Sequence, residues 1–283
     1  MKNIYLNYKG YYIKDDLKSL LLYYDFFSQG LSLPKQISHS FIQKSLHRTL
    51  RLLIIILYIT KIYLLVYKRV NLEDDAIIII QGKGTWGSTI KLVEKNNEYK
   101  ILKKVRNKKL FLKEKMFYDT YKNTGTKIRL PECKFLSKNI IEMNFLKLKS
   151  FQRRTIDGTF NFKKSVMYYK DIRNELEKFY KNKRTLIHGD LFLPNIYIDN
   201  NEYYLIDFTE SHNETFQYDL YVLLFSILCS YGIIKLNEKT IKNSTVNGES
   251  TLNLLKININ DLLSVEKKFI DYREKRFPGV YYS

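Results

Sequence analysis

Residues 186–208 read Leu186-Ile-His-Gly-Asp-Leu-Phe-Leu-Pro-Asn-Ile-Tyr-Ile-Asp-Asn-Asn-Glu-Tyr-Tyr-Leu-Ile-Asp-Phe208, and their reading decides the fold. Three polar residues stand out: Asp190, Asn195 and Asp207. The spacing predicts a loop through Asp190 and Asn195, then a short strand over 195–198. The run 199–201, Asp-Asn-Asn, has turn chemistry, because these side chains tolerate left-handed dihedrals. Residues 203–206 predict the returning strand of a hairpin. The hairpin brings Asp207 back beside Asn195. A carboxylate and an amide oxygen at one spot suit a hard cation such as Mg2+, which takes few protein oxygens and completes its shell with phosphates and water. Asp190 is left to orient a hydroxyl and accept its proton.

This pattern resembles the phosphoryl-transfer core of the protein-kinase-like superfamily, with its H-x-D-x-x-x-x-N loop and metal-binding Asp. The form His188-Gly189-Asp190, with glycine in the middle, looks like the branch of aminoglycoside phosphotransferases and choline kinases, to which lipopolysaccharide core kinases are related. The resemblance covers about residues 76–230. It implies an α+β, bilobal protein-kinase-like fold: a small antiparallel β lobe over 76–146 and a mostly helical lobe over 147–283, with ATP and Mg2+ in the cleft. Residues 1–75 are expected to form a helical N-terminal extension.

Forward from the core stretch, Asp219 resembles the Asp that opens the long helix beneath the catalytic loop of the superfamily, where it would bond the loop backbone. A simple N-cap role is compatible with that. Backward from it, residues 76–81 are a β-branched strand, and Ser88 opens another over 88–93. Between them lies Gly82-Lys-Gly84-Thr-Trp-Gly87. A G-x-G-x-x-G run between two strands fits a flap over phosphates; a dinucleotide fold would need a helix after it. Residues 99–105 read as the next strand. The superfamily expects an apolar pair before its ATP-binding Lys, so Ile101-Leu102-Lys103 matches best, with Lys100 and Lys104 as rivals. A helix is expected over 110–121. There Glu114 is the candidate partner of Lys103, and Asp119 is its rival. Residues 140–146 resemble the strand and hinge between the lobes, with Met143 and Phe145 against the nucleotide.

Composition narrows the class. The 283 residues are 45% hydrophobic, enough for a sizeable core. Two cysteines, Cys133 and Cys229, supply neither a disulfide framework nor metal spacing, which fits a reducing, cytoplasmic setting. Lys plus Arg number 48 against 29 Asp plus Glu, a net charge of +19 that favours an anionic partner. No signal peptide is visible.

Residues 50–67 are strongly apolar, interrupted by Arg51, Thr60 and Lys61. A spanning helix needs about 20 largely apolar residues, and this stretch falls short. Two readings stay open. One is a buried helix or strand pair. The other is a helix at an anionic membrane surface, flanked by Arg48, Arg51, Lys68 and Arg69.

The resemblance implies transfer of the ATP γ-phosphate to a hydroxyl. Asp207 and Asp219 are 12 residues apart, too close for a long activation segment, and no Ala-Pro-Glu occurs. A small molecule or a sugar is therefore expected over a protein. The charge and the 50–67 stretch point to an envelope glycolipid or polysaccharide sugar at the inner membrane face, the resemblance to lipopolysaccharide core kinases implies a lipopolysaccharide acceptor, and nucleic acid is disfavoured. The alternatives are a kinase of aminoglycoside or choline type and a non-catalytic, pseudokinase-like binding module.

Overall fold

The computed structural model describes residues 3–8, 11–27, 40–65, 67–81, 88–122, 124–181, 184–231, 245–246, 249–250 and 271. The chain opens with β1 (Asn3–Tyr8), β2 (Tyr11–Lys14) and α1 (Leu17–Leu22), which widens into a π-helical turn at Tyr23–Phe27. Asp16 caps α1: its carboxylate accepts the Ser19 N–H at 2.8 Å, satisfying a donor the helix itself leaves orphaned. Then come α2 (Ser40–Ile59), a 3-10 turn (Ile62–Leu65) and β3 (Lys68–Leu72). Next are β4 (Ile78–Gln81), β5 (Thr89–Lys95), β6 (Glu98–Lys104), α3 (Lys108–Tyr121), β7 (Ile128–Arg129), β8 (Cys133–Leu136) and β9 (Ile140–Asn144).

Eight of these strands form one sheet in the order β3-β1-β2-β4-β5-β6-β9-β8, with every neighbour antiparallel. The expectation of a helical extension over 1–75 is therefore amended, since that stretch contributes three strands as well as α1 and α2. Packing explains it. Leu6 and Ile13 are fully buried in one cluster with Ile78 and Leu92, so the apolar face of the sheet runs on into the N-terminus. Tyr5 is buried on the other face, and its hydroxyl donates to the carbonyls of Asp74 (2.8 Å) and Ala76 (2.6 Å). Helix α2 packs Ile54, Leu57 and Tyr58 on the first cluster. The burial reading of residues 50–67 thus holds for one face of α2. No described helix is long and apolar enough to cross a membrane.

Among its described residues the second half carries three α-helices and shorter strands. It comprises α4 (Phe151–Ile156), α5 (Phe162–Tyr180), β10 (Arg184–Ile187), β11 (Ile196–Asp199), β12 (Glu202–Leu205), β13 (His212–Thr215) and α6 (Gln217–Ser230). Helix α5 starts where the Asn161 side chain accepts the Lys164 N–H at 2.8 Å. It buries Phe162, Val166, Tyr169, Ile172, Leu176 and Phe179, a three-to-four-residue stripe facing the core. The sequence predicts a basic helix over 261–276, which lies outside the described residues apart from Asp271.

Candidate active site

The β11–β12 hairpin turns on Asn200 and Asn201, both with positive φ (42° and 71°). Two left-handed residues make the two-residue turn whose twist matches paired strands, and Asn accepts that conformation. Its register, Ile196 opposite Leu205, sets Asn195 beside Ile206, whose N–H donates to the Asn195 carbonyl at 3.1 Å. Asp207 follows directly, itself at φ 65°. Asn195 Nδ2 donates to the Asp190 carbonyl at 2.8 Å and to Asp190 Oδ2 at 3.2 Å. The amide nitrogen is thus occupied by the loop, and the amide oxygen is the atom suited to a cation.

The loop is held from beneath. Asp219, fully buried in the first turn of α6, accepts from the His188 and Gly189 N–H groups at 2.8 Å each and from the Tyr180 hydroxyl. Burial pushes its carboxyl up from the ordinary value in spite of those donors. His188 Nε2 lies 2.9 Å from the Ile206 carbonyl, an acceptor only, so it donates there. Nδ1 then accepts the Asp190 N–H at 3.3 Å. Gly189 has φ 78°, and a Cβ on it would overlap the Glu210 carbonyl oxygen and crowd His212 Nδ1. Only glycine fits between His188 and Asp190.

Across the cleft, β6 points Lys103 inward. It is 4% exposed, and its Nζ donates to both Glu114 oxygens (3.0 and 2.8 Å) and to Asp207 Oδ1 (2.7 Å). Burial alone would push the ammonium down, but the charges of Asp207 and Glu114 outweigh it and hold it above the ordinary lysine value. Burial likewise opposes the charge on Asp207, yet Lys103 and the Thr209 hydroxyl, which donates at 2.9 Å, bring its carboxyl to about 2. Asp207 is therefore an anion throughout the neutral range. An ionised carboxylate with a neighbouring amide oxygen is the donor set a small, hard cation takes, so Asn195 and Asp207 fit Mg2+.

The rivals stand elsewhere. Lys104 is exposed, and Lys100 bonds Glu98 and Asn144. Asp119 pairs with Lys115 and Lys122 on the outer face of α3. Phe208 stacks on Phe117 of α3 at 4.4 Å between ring centroids, which ties the Asp207 segment to the helix that carries Glu114.

Between the lobes lies an open, largely apolar cleft. Its walls include Ile80, Ile90 and Ile101 above, Met143, Phe145 and Leu146 at the hinge, and Tyr197 and Ile206 below, with Lys103 and Asp207 at its end. A narrow recess continues behind Met143 towards Glu114 and Phe208. Gly82, Gly84 and Gly87 lie outside the described residues. Ile80 and Ile90 were legible as inward positions of the strands flanking that run, but the sequence reading did not assign them to the cleft. It also missed Tyr180 under the loop, as nothing in its helical stripe sets it apart. A brace across the hinge had no local signal either. Phe26 packs edge-on to Phe145 at 5.3 Å, and buried Arg153 of α4 donates to the Tyr24 carbonyl at 3.0 Å.

Set beside known proteins, residues 91–218 match the family model of the RIO domain, a protein-kinase-like domain. Similar solved structures include the ternary complex of APH(2")-IIa with streptomycin and ATP. It has a TM-score of 0.45 and 11% identity, over 72% of this chain and 86% of that one. The macrolide 2'-phosphotransferase MphH from Brachybacterium faecium has a TM-score of 0.41 and 8% identity, over 71% and 91%. The kinase domain of PknI from Mycobacterium tuberculosis has 0.42 and 8%, over 70% and 93%. No curated protein matches the chain. Over residues 91–218 the chain is thus similar to the RIO domain, and its described residues form a mixed α+β molecule with an antiparallel-sheet lobe and a helical part.

Proposed function

We propose that the chain is a Mg2+-dependent phosphotransferase that moves the γ-phosphate of ATP to a sugar hydroxyl of a cell-envelope glycan, on the cytoplasmic side. One observation carries the reading: Lys103 is buried between Glu114 and Asp207 at the end of an apolar cleft, with Asp190 and Asn195 fixed on the adjoining loop.

Mg2+ on Asn195 and Asp207 would neutralise charge on the β- and γ-phosphates. Lys103 binds the α- and β-phosphates. Its ammonium now faces two carboxylates, and polyphosphate added beside it would crowd three anions around one cation. Asp207 would be free to hold the metal once phosphate takes its place beside Lys103, and Glu114 would keep Lys103 in position. Met143, Phe145, Ile101 and Ile206 give the base an apolar slot, and the Gly82, Gly84 and Gly87 run has the sequence suited to cover the phosphates. Asp190 orients the acceptor hydroxyl and takes its proton as that oxygen bonds the γ-phosphorus. The bond to the β-bridging oxygen breaks, and ADP leaves with the electron pair. Little covalent work falls to the protein, so positioning and charge supply the rate.

Two features support a small or sugar acceptor. The interval from Asp207 to Asp219 is short, and β13 within it is paired along its length with β10, which leaves no long segment to bind a peptide. The charge of +19 favours an anionic acceptor, such as a phosphorylated glycan, over cationic aminoglycosides or choline. The test is incubation of the purified protein with labelled ATP and either envelope glycan extracts or a panel of soluble amino sugars and amino alcohols. Label in the glycan is the expected result. Label only in a soluble panel member moves the acceptor to the small-molecule class. Nucleotide binding with no transfer to any acceptor overturns the enzyme in favour of a binding module.

A further inference from the structure

Ten large apolar side chains stand exposed among the described residues, and five of them, Leu52, Leu53, Ile56, Ile59 and Ile62, belong to one short stretch. Their exposures run from 44% at Leu53 to 71% at Ile59. At 100° per residue, Leu52, Ile56 and Ile59 fall on one stripe of α2, with Leu53 at its edge. The opposite side of the helix, Ile54, Leu57 and Tyr58, is already spent on the sheet core. Such clustering marks an interaction surface, whereas single exposed apolar residues are ordinary.

The surroundings say what the surface meets. Arg48 is exposed and leads the same stripe one turn earlier, and Lys61 is exposed at the end of the helix. Lys68 and Arg69 are exposed on the adjoining strand β3. Helix α2 contains no acidic residue. The nearest carboxylates on the packed elements are engaged: Asp25 with Arg51 at 3.3 Å, and Asp15 with Arg69 at 2.9 Å and with the Tyr63 hydroxyl at 2.7 Å.

We propose that this face of α2 docks the protein on an anionic membrane surface, with Leu52, Leu53, Ile56, Ile59 and Ile62 entering the headgroup boundary and the flanking cations meeting the lipid phosphates. An amphipathic helix of this kind lies in the interface plane and does not span. From residue 52 to 62 it covers roughly 15 Å, half the thickness of a hydrocarbon core. A second copy of the chain suits the face less well. A stable protein interface takes about 800 Å2 from each partner and is depleted of Lys at its centre, whereas this strip is narrow and ringed by cations. The surface stands apart from the cleft, so the inference does not depend on the phosphotransferase reading.

The test is flotation of the full chain with vesicles of phosphatidylcholine alone or mixed with phosphatidylglycerol. The parent should float with the anionic vesicles at low salt, float less with the neutral ones, and lose part of its binding at high salt, because only the ionic share is screened. The double variant Ile56→Asp/Ile59→Asp should bind at least about tenfold more weakly, since two buried apolar groups become anions facing anionic lipid. Both positions face solvent, so its urea midpoint should match the parent's, and Leu57→Asp, on the inner face, should unfold. Failure of the parent to float at low salt overturns the proposal. So does equal flotation of the double variant. A parent that elutes as a dimer, with a monomeric double variant and no lipid binding by either, assigns the face to a second copy and overturns it as well.

Discussion

Two carboxylates of one loop-and-helix unit are set in opposite directions. Asp219 lies under the loop of His188 to Asn195, fully buried, with its oxygens spent on the His188 and Gly189 amides and the Tyr180 hydroxyl; burial raises its pKa. Asp207 lines the cleft beside Lys103 with its side chain 43% exposed, and Lys103 holds its pKa at about 2. The first has satisfied neutral donors and no cation. The second has a cation it can exchange. The difference separates a carboxylate that builds the site from one that serves it, even though both are Asp within 12 residues.

The largest effect that tests this contrast is on folding. Asp219→Ala strips an acceptor from three buried donors, and each unsatisfied donor costs about 1–3 kcal/mol, so the loss should reach roughly 3 kcal/mol or more. Urea denaturation reads it. A loss below about 1 kcal/mol would mean that water or rearrangement replaces Asp219, and the structural half of the comparison would fall. Tyr180→Phe sharpens the point, because it removes one donor together with its need and should cost much less.

Asp190 and Asp207 should act on chemistry instead. Asp190→Asn should keep nucleotide binding and lower phosphotransfer by roughly 10²-fold or more, the usual worth of a positioned proton acceptor. Retained turnover would remove Asp190 from that role. Asp207→Ala should abolish the gain in ATP affinity that Mg2+ gives the parent, because the cation loses its charged ligand. Calorimetry with and without Mg2+ measures that gain directly, and an undiminished gain in the variant contradicts the assignment.

How far these roles were legible depends on range. The loop, the hairpin and Asp207 lie within one short stretch and are specified by turn chemistry and strand alternation, so residues 186–208 suffice to read them. Glu114 was legible as an acid on a helix after Lys103, but its preference over Asp119 is a matter of helix face. Glu114 turns inward with Leu110 and Phe117, and Asp119 turns out. The strands β1, β2 and β3 escaped the reading, because their partners lie up to about 70 residues away and Tyr, Lys and Asn blur the alternation. The brace of Tyr24 and Phe26 against Arg153 and Phe145 joins residues more than 100 apart, and no local pattern encodes it.

Three lysines on β6 carry the contrast between buried and exposed charge to a finer scale. Lys103→Met should impair nucleotide use far more than Lys100→Met or Lys104→Met, since successive side chains alternate faces and Lys103 shares the inward face with Ile101. It also strands Glu114 without its cation, so some loss of stability should accompany the loss of binding. The outer two are solvent-screened and should cost about 1 kcal/mol or less. ATP titration of the three purified variants ranks them. If Lys104→Met were the damaging change, the strand would be read one residue out of register.

The smallest effect is the dependence of stability on acid. A carboxyl whose folded-state pKa is depressed adds stability above its unfolded value and loses it as pH falls through the folded one. For Asp207 that window runs from about 4, the unfolded value, down to about 2. Asp219 has the opposite sign: its raised pKa means the folded state favours the protonated form, so its own contribution declines as pH rises through the carboxylate range. Lys103 stays charged throughout, so the Asp207 contribution changes only by protonation of Asp207 and its acidic neighbour. Stability of the nucleotide-free parent and of Asp207→Asn, measured from pH 6 to pH 2, should differ most above pH 4, and the gap should close towards pH 2. Salt should narrow the gap, because Asp207 is partly open to solvent. A gap that is constant across the range would show that Asp207 is held by shape and not by the charge of Lys103, and the distinction between the two carboxylates would then rest on hydrogen bonding alone.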